Sequence, residues 1–187
     1  MVQSTDADSF HPSISGDGRY VAYESAATNL VTGDTNGAVD AFVRDRTGGT
    51  TTRVSIHDNE SQAPTGGFDP WIDESGNKVV FASSSKLNGL DPNSQNDVYV
   101  RDRSANTTTV ASIGTDGWAA GSSQDPTISG DGLTIAFQST SATALEGANG
   151  WETIYTRRPG NLLTKRISTP TSGTVVGGIS SHPSLSY

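Results

Sequence analysis

Two loops of the chain carry the same spacing of oxygen-bearing side chains. One reads GDTNGAVD, and the other, 57 residues later, reads LDPNSQND. This alternation is the spacing that directs side-chain oxygens toward one centre in calcium-binding loops, where the ion takes six to eight oxygen ligands. The sequence therefore predicts calcium ligands at Asp34, Asn36 and Asp40 in the first loop and at Asp91, Asn93, Gln95 and Asp97 in the second.

The same residues also have a use that needs no metal. Asp and Asn side chains hydrogen-bond the backbone two residues further on, and they form turns in this way without an ion. A full EF-hand is excluded, because Val39 and Asn96 stand where its sharp turn needs glycine. The acidic twelfth position falls on the following strand, too far away to close on the ion. The sequence therefore leaves two interpretations of these loops: a weak calcium site, or a turn that binds no metal.

Histidine or aspartate stands directly before a proline that recurs at intervals of 56 to 58 residues, at His11, Asp69, Asp125 and His182. These positions are equivalent in the repeat described next, on the first strand of each copy, so we expect the four side chains to line one channel. A ring of His and Asp can bind a metal or do acid–base work. The simpler alternative is that these polar groups line a wet channel and bond nearby backbone.

The residues named above occur within an internal repeat of the sequence. Its copies begin HPSISGDGRYVAYES, DPWIDESGNKVVFAS, DPTISGDGLTIAFQS and HPSLSY, and their prolines are spaced by 58, 56 and 57 residues. Each full copy predicts four short strands, the first two joined by a tight turn at a glycine. The later strands read DAFVRDR and TTRVSI in the first copy. The pattern predicts an all-β fold of β-propeller blades, each of four antiparallel strands, with three complete repeats and the first strand of a fourth.

The repeat also divides the chain. We expect an N-terminal extension at 1–9, blades at 10–67, 68–123 and 124–180, and the first strand of a further blade at 181–187. A propeller closes with four to eight blades, and an open arc leaves strand edges unpaired. The ring is therefore expected to close either through the remaining blades of a longer chain or through self-association.

The repeat pattern Pro-x-Ile-Ser-Gly-Asp-Gly, Val/Ile-Ala-Tyr/Phe and Asp-Val-Tyr-Val-Arg-Asp resembles the TolB-type propeller repeat over about residues 10–187. The commoner Ser-Pro-Asp-Gly turn of that family reads Ser-Gly-Asp-Gly in repeats one and three and Asp-Glu-Ser-Gly in repeat two. The resemblance implies a propeller, for which six blades is a familiar size in this family, and it says little about activity. Some relatives built from similar blades are pectin-fragment lyases with a channel metal held by histidines.

Composition limits the partners. The 187 residues carry a net charge of −8, from 20 acidic and 12 basic side chains, and such a surface repels the phosphates of nucleic acid. There is no cysteine, so neither disulfides nor thiol chemistry is available. No apolar run approaches the roughly 20 residues that cross a bilayer, and the first residues lack the pattern of a signal peptide. The Lys-poor, Ser-, Thr-, Asn- and Gly-rich composition suggests a secreted or periplasmic domain.

Together these features predict a non-catalytic binding or scaffold module that presents loops and a channel mouth to a protein or glycan ligand. One alternative is a lectin-like propeller, in which Trp118 or Trp151 stacks on a sugar ring. The other is a polysaccharide lyase-type propeller with a channel metal, which the acidic net charge makes less suited to a polyanionic substrate. No Gly-x-Ser-x-Gly nucleophile motif or phosphate-binding glycine loop occurs in the sequence.

Overall fold

A computed structural model of the protein describes residues 6–114, 121–141, 145, 150–159, 164–169 and 178–186. These residues form twelve strands in three four-stranded antiparallel sheets, one for each full repeat. The predicted all-β fold of four-stranded blades is therefore confirmed. No helix able to cross a membrane occurs within these residue ranges.

The strands of each blade follow one another in the sheet in chain order. Blade 1 contains β1 (Ser9–Ile14), β2 (Tyr20–Ser25), β3 (Asp40–Asp45) and β4 (Thr50–Arg53). Blade 2 contains β5 (Phe68–Ile72), β6 (Lys78–Ser83), β7 (Asp97–Asp102) and β8 (Thr107–Val110). Blade 3 contains β9 (Ser123–Ile128), β10 (Ile135–Ser139), β11 (Thr153–Arg157) and β12 (Thr164–Arg166).

Glycine is required at the turn between the first two strands of each blade. Gly18, Gly76 and Gly132 have φ angles of 71°, 73° and 67°, in the left-handed region that favours glycine. At Gly76 a side chain is excluded for a second reason, because a Cβ atom would lie 2.2 Å from the ring of Tyr20 in the neighbouring blade. The periodic glycines are thus explained as hairpin turns.

Strand ends differ from the sequence prediction in two places. The first strand of blade 1 begins at Ser9, ahead of the HPSIS segment with which the repeat copy opens. Its fourth strand ends at Arg53 rather than continuing to Ile56, because the N–H groups of Val54 and Ser55 both donate to the carbonyl of Ala41, at 2.8 and 3.4 Å. This doubled contact ends the regular ladder.

The fourth copy of the repeat has the backbone of a first strand without a sheet around it. His182 has a φ of 54°, close to the 48° of His11. Residues 178–186 form no strand ladder with the described residues. They extend along blade 3, where the N–H of Ser180 donates to the carbonyl of Glu152 at 2.9 Å.

Most of the buried apolar core lies between the blades. The first seam, between blades 1 and 2, buries residues that include Ala22, Val43, Val54, Ile72, Val79, Phe81 and Tyr99. The second seam, between blades 2 and 3, buries residues that include Val80, Val98, Val100, Ile128, Ile135, Phe137 and Tyr155. Blade 2 therefore uses one face against blade 1 and the other against blade 3, and this packing holds the three first strands side by side.

Candidate functional site

A bulge in the first strand of each blade positions the residue before the proline. The pairing of β1 with β2 shifts register between Phe10 and Ser13, and the first strands of blades 2 and 3 shift at the matching place. Bulges of this kind redirect side chains and often lie beside functional sites. The residues in the bulges have φ angles from 48° to 51°, a left-handed conformation that Asp and His tolerate better than most side chains.

The bulges bring the four predicted channel residues to one cavity of about 430 Å³. We call it the inner cavity. His11, Asp69, Asp125 and His182 line it together with the proline that follows each of them and with Trp71. Its wall is thus partly apolar, whereas its titratable groups all come from equivalent positions of the repeat.

A compact group of three side chains lies at one end of the inner cavity, where Glu24, which is not part of the cavity wall, contacts the lining residues His11 and Asp69. His11 Nδ1 lies 3.1 Å from Glu24 Oε1 and 3.3 Å from Asp69 Oδ1. Glu24 is fixed in place because its Oε2 accepts a 2.6 Å hydrogen bond from the backbone N–H of Asp69. One ligand atom from each residue lies within 4.8 Å of the others, so the group can hold a metal ion. An imidazole with two carboxylates suits zinc or manganese.

Negative charge dominates the inner cavity. Burial, followed by the nearby Asp125 and Glu24 carboxylates, raises the pKa of Asp69 to about 6, and His11 opposes this shift. At the other end, His182 Nε2 lies 3.7 Å from Asp125 Oδ2. The cavity therefore favours a proton or another cation, which relieves the repulsion between its carboxylates.

The first Asp/Asn loop already contains a cation of its own. The guanidinium Nη1 of Arg53 lies 3.1 Å from Asp34 Oδ1 and 3.5 Å from Asp40 Oδ2. Asn36 donates to Asp40 at 2.9 Å, and its Oδ1 accepts from the N–H of Ala38 in the turn that Asn was expected to form. An arginine thus stands between the two carboxylates where a bound ion was considered.

The second loop has the same turn and no such arginine. Asn93 donates to Asp97 at 3.2 Å, and the hydroxyl of Tyr99 donates to Asp91 at 2.7 Å. Asp91 and Asp97 are both buried, and the residue equivalent to Arg53 is Val110. Burial, with a further contribution from Asp91, raises the pKa of Asp97 to about 7. Among the described residues, the donors to these two buried carboxylates are all neutral.

The other predicted site residues lie apart from these groups. Gln95 is exposed at the surface, where its N–H donates to Asn93 Oδ1 at 2.6 Å. Trp151 is 51% exposed. Trp118 lies outside the described residues, so its predicted sugar contact stays a prediction.

Two residues of these sites were missed in the sequence. The sequence pattern did not indicate Glu24, which lies inside a strand. The other blades carry the neutral residues Ala82 and Gln138 at the matching positions. The sequence pattern did not indicate Arg53 either, although blade 2 carries Val110 at the equivalent position. In both cases the available signal was a charge at a position where another blade carries a neutral residue.

Three sheets joined by two apolar seams, with their first strands around one cavity, define a β-propeller module. No protein-family model and no curated protein matches the chain. Among solved structures it is similar to TolB from Acinetobacter baumannii, with a TM-score of 0.55 and 18% identity over 90% of this chain and 34% of that one.

A second similar structure is the β-propeller domain of the Trilobed protease from Pyrococcus furiosus, described as having an open velcro topology. Its TM-score is 0.55 and its identity 10%, over 88% of this chain and 43% of that one. The fold is therefore TolB-like, as the repeat predicted. The chain spans about a third of the length of that TolB chain and less than half of the protease propeller chain.

Proposed function

We propose that the protein is a non-catalytic binding module that receives a cationic group of a protein ligand in its inner cavity. The observation that carries this proposal is the convergence of Asp69 and Asp125 on one concave surface, with the buried carboxylate of Glu24 in contact with Asp69. The acidic, Lys-poor composition favours a secreted or periplasmic setting for this binding.

The wall of the inner cavity suits a lysine side chain in particular. A lysine carries an apolar stem below its charged group, and four prolines with Trp71 supply apolar surface along the wall. The ammonium group would neutralise carboxylates that now repel one another. Protons compete with such a ligand, so we expect binding to weaken as the pH falls below about 6, where Asp69 becomes protonated.

A lysine-rich synthetic peptide and its lysine-acetylated form provide the matched probes. We expect the first to bind and the second to bind at least roughly tenfold more weakly, as measured by calorimetry and by NMR shifts around the inner cavity. The variant Glu24→Gln/Asp69→Asn should lose the binding. The control Asp17→Asn/Asp131→Asn removes the same charge from exposed turns outside the cavity and should keep it. Equal weakening by both variants would show non-specific attraction and contradict the proposal.

We further propose that the second Asp/Asn loop binds calcium weakly, through Asp91, Asn93 and Asp97, and that the first loop does not. Support comes from the two buried carboxylates of the second loop, which no arginine neutralises, whereas Arg53 already serves those of the first. In the second loop Asn93 can turn its amide oxygen to an ion without breaking a charge pair. Such a loop offers few protein ligands and belongs with weak extracellular calcium sites.

Thermal unfolding with calcium and then with excess chelator tests this site. Calcium at ten times its dissociation constant should stabilise the folded state by about 1.4 kcal/mol. The variant Asp97→Asn should abolish the calcium response. Gln95→Ala should leave it intact, since that side chain is exposed. Melting curves that are the same with calcium and with chelator would mean that the loop is only a turn.

A second candidate is a metal-dependent polysaccharide lyase, favoured by the ligand geometry of His11, Glu24 and Asp69. A divalent metal held there would polarise a substrate oxygen. The same carboxylates repel a polyanionic substrate, which places this candidate second. Calorimetry with zinc or manganese ions tests the metal site, and ultraviolet absorbance of unsaturated products from oligogalacturonide tests the activity. Metal binding without product would reject the lyase and keep the site.

A further inference from the structure

We propose that two copies of this chain join head to tail and close a six-bladed ring. Blade 3 of each copy packs against blade 1 of the other in the same way that neighbouring blades pack within one chain. The inference concerns the outer faces of the arc, and it does not depend on what the inner cavity binds.

The outer face of blade 1 carries the residues that the other blades bury in their seams. Ile14 is 46% exposed, whereas its equivalents Ile72 and Ile128 are 0% and 1% exposed. Val21 is half-buried, and its equivalents Val79 and Ile135 are fully buried. The face therefore has the apolar surface of a seam and lacks only the blade that would cover it.

The outer face of blade 3 carries the complementary half of a seam. Ile167 is 53% exposed, whereas its equivalents Val54 and Ala111 are each 2% exposed. Ile154 is half-buried, and the matching residues of blades 1 and 2 are fully buried. The two ends of the arc thus hold the two sides of one interface, and a second copy supplies both.

Polar contacts at the two existing seams fix the register of the proposed one. Thr108 Oγ1 donates to the carbonyl of Ile56 at 2.9 Å, and the equivalent Thr164 Oγ1 donates to Ile113 at 2.6 Å. Continued across the new seam, this pattern pairs Thr51 of one copy with the carbonyl of Thr169 of the other.

A backbone pattern gives the same register. The N–H of Gly16 donates to the carbonyl of Glu74, and the N–H of Glu74 donates to the carbonyl of Gly130, both at 3.0 Å. Continued, it pairs the N–H of Gly130 in one copy with the carbonyl of Gly16 in the other. Both patterns require the same relative placement of the two chains.

Residues 178–186 hold the place on blade 3 that β1 of the second copy would take. Their HPSLS segment differs at one residue from the HPSIS of blade 1, and His182 reaches Asp125 much as His11 reaches Asp69. This segment forms no ladder with the described residues, whereas β1 arrives within a four-stranded sheet. The blade of the second copy therefore displaces the segment when the ring closes.

Sedimentation of the full chain over a wide concentration series tests the ring. We expect a reversible monomer–dimer equilibrium that Ile14→Arg abolishes. The matched control Leu90→Arg alters a side chain of similar exposure, 44% against 46%, on a loop away from both outer faces. It should leave association unchanged. A chain that stays monomeric throughout, or equal loss in both variants, would overturn the proposal.

Mixing two variants tests the head-to-tail geometry. Ile167→Arg should abolish self-association as Ile14→Arg does, because each variant alters both seams of its own dimer. A mixture of the two retains one unaltered seam, so a heterodimer should form where neither variant associates alone. Failure of the mixture would contradict a heterologous interface, provided that circular dichroism shows both variants folded.

Truncation after residue 177 tests the role of the last segment. Because the segment competes with the incoming blade, its removal should tighten association. Weaker association after truncation would instead make the segment part of the interface, and it would contradict the displacement proposed above.

Discussion

The two Asp/Asn loops share their turn and differ in their source of positive charge. In the first loop Arg53 lies between Asp34 and Asp40, at 3.1 and 3.5 Å. In the second loop Asp91 and Asp97 receive only neutral hydrogen bonds, among them the 2.7 Å bond from Tyr99. The spacing of the motif thus fixes the turn, and the residue on the fourth strand decides whether an arginine lies between the two carboxylates.

The difference also shows why the motif alone was ambiguous. Burying two carboxylates together is costly unless an opposite charge lies beside them. An arginine from the same blade meets that need permanently, whereas an ion meets it only when it is present in the medium. Loops with the same spacing can therefore belong to different functional classes within one chain.

Removal of the arginine should have the largest effect. Arg53→Val makes the first loop resemble the second and leaves Asp34 and Asp40 without their buried partner, so we expect a loss of about 3–5 kcal/mol in the free energy of unfolding at neutral pH. Urea unfolding measures the loss, and calcium should recover part of it. Arg44→Val removes an exposed arginine from the same blade and should cost about 0.5 kcal/mol. Similar losses in both variants would mean that Arg53 does not neutralise the loop.

The pH dependence of the second loop should be nearly as large. Asp97 has its pKa raised by burial from 3.8 to about 7, so the folded state holds a proton that the unfolded state releases. Its contribution to stability is therefore greatest below about pH 4 and is lost as the pH rises to about 7.

The variant Asp97→Asn should lack this loss. The shift corresponds to roughly 4 kcal/mol, less about 1 kcal/mol for the altered hydrogen bond from Ser112, so the variant should be about 3 kcal/mol more stable than the native chain at pH 8. At pH 4 it should show no advantage. Urea unfolding at the two pH values, without calcium, provides the comparison, and parallel pH profiles would refute the buried charge.

Transfer of the arginine to the second loop should change stability least. In Val110→Arg the new charge pairs with Asp91 and Asp97, and this gain offsets about 1–3 kcal/mol of overpacking in the first seam. The calcium response should disappear, because the guanidinium occupies the place of the ion. Val110→Met adds bulk without charge and should retain the response. Calcium-dependent melting curves of the two variants measure the effect, and a calcium response in the arginine variant would contradict the equivalence of arginine and ion.

The repeat made the fold predictable from the sequence, but it did not indicate every residue of the candidate sites. The turn glycines and the residues before the first-strand prolines recur with the period of the repeat. They therefore predict both the blades and the residues that line the inner cavity. Glu24 and Arg53 act through contacts that are specific to one blade, and Glu24 meets Asp69 only when two blades pack together. A comparison of shared positions passes over Glu24, whereas a search for charges that break the period finds it. Arg53 recurs as Arg166 in blade 3, so the departure from the period at that position is Val110.

The position of Gln95 has a local cause. Alternate spacing turns side chains toward one centre only if the backbone stays regular through the loop. Asn93 Oδ1 accepts the N–H of Gln95, and this turn leaves the Gln95 side chain exposed. Calcium ligation by Gln95 therefore stays a prediction.

The left-handed backbone before the proline of each repeat constrains how this chain can change over generations. At φ near 50°, most side chains cost about 1–2 kcal/mol, whereas Asp, Asn, His and Gly are better tolerated. Substitutions that survive at His11, Asp69, Asp125 and His182 are therefore drawn mainly from acids, amides, imidazoles and glycine. One nucleotide change converts an aspartate codon into a histidine codon. The charge of the inner cavity can therefore change one residue at a time while the fold of the blades around it stays the same.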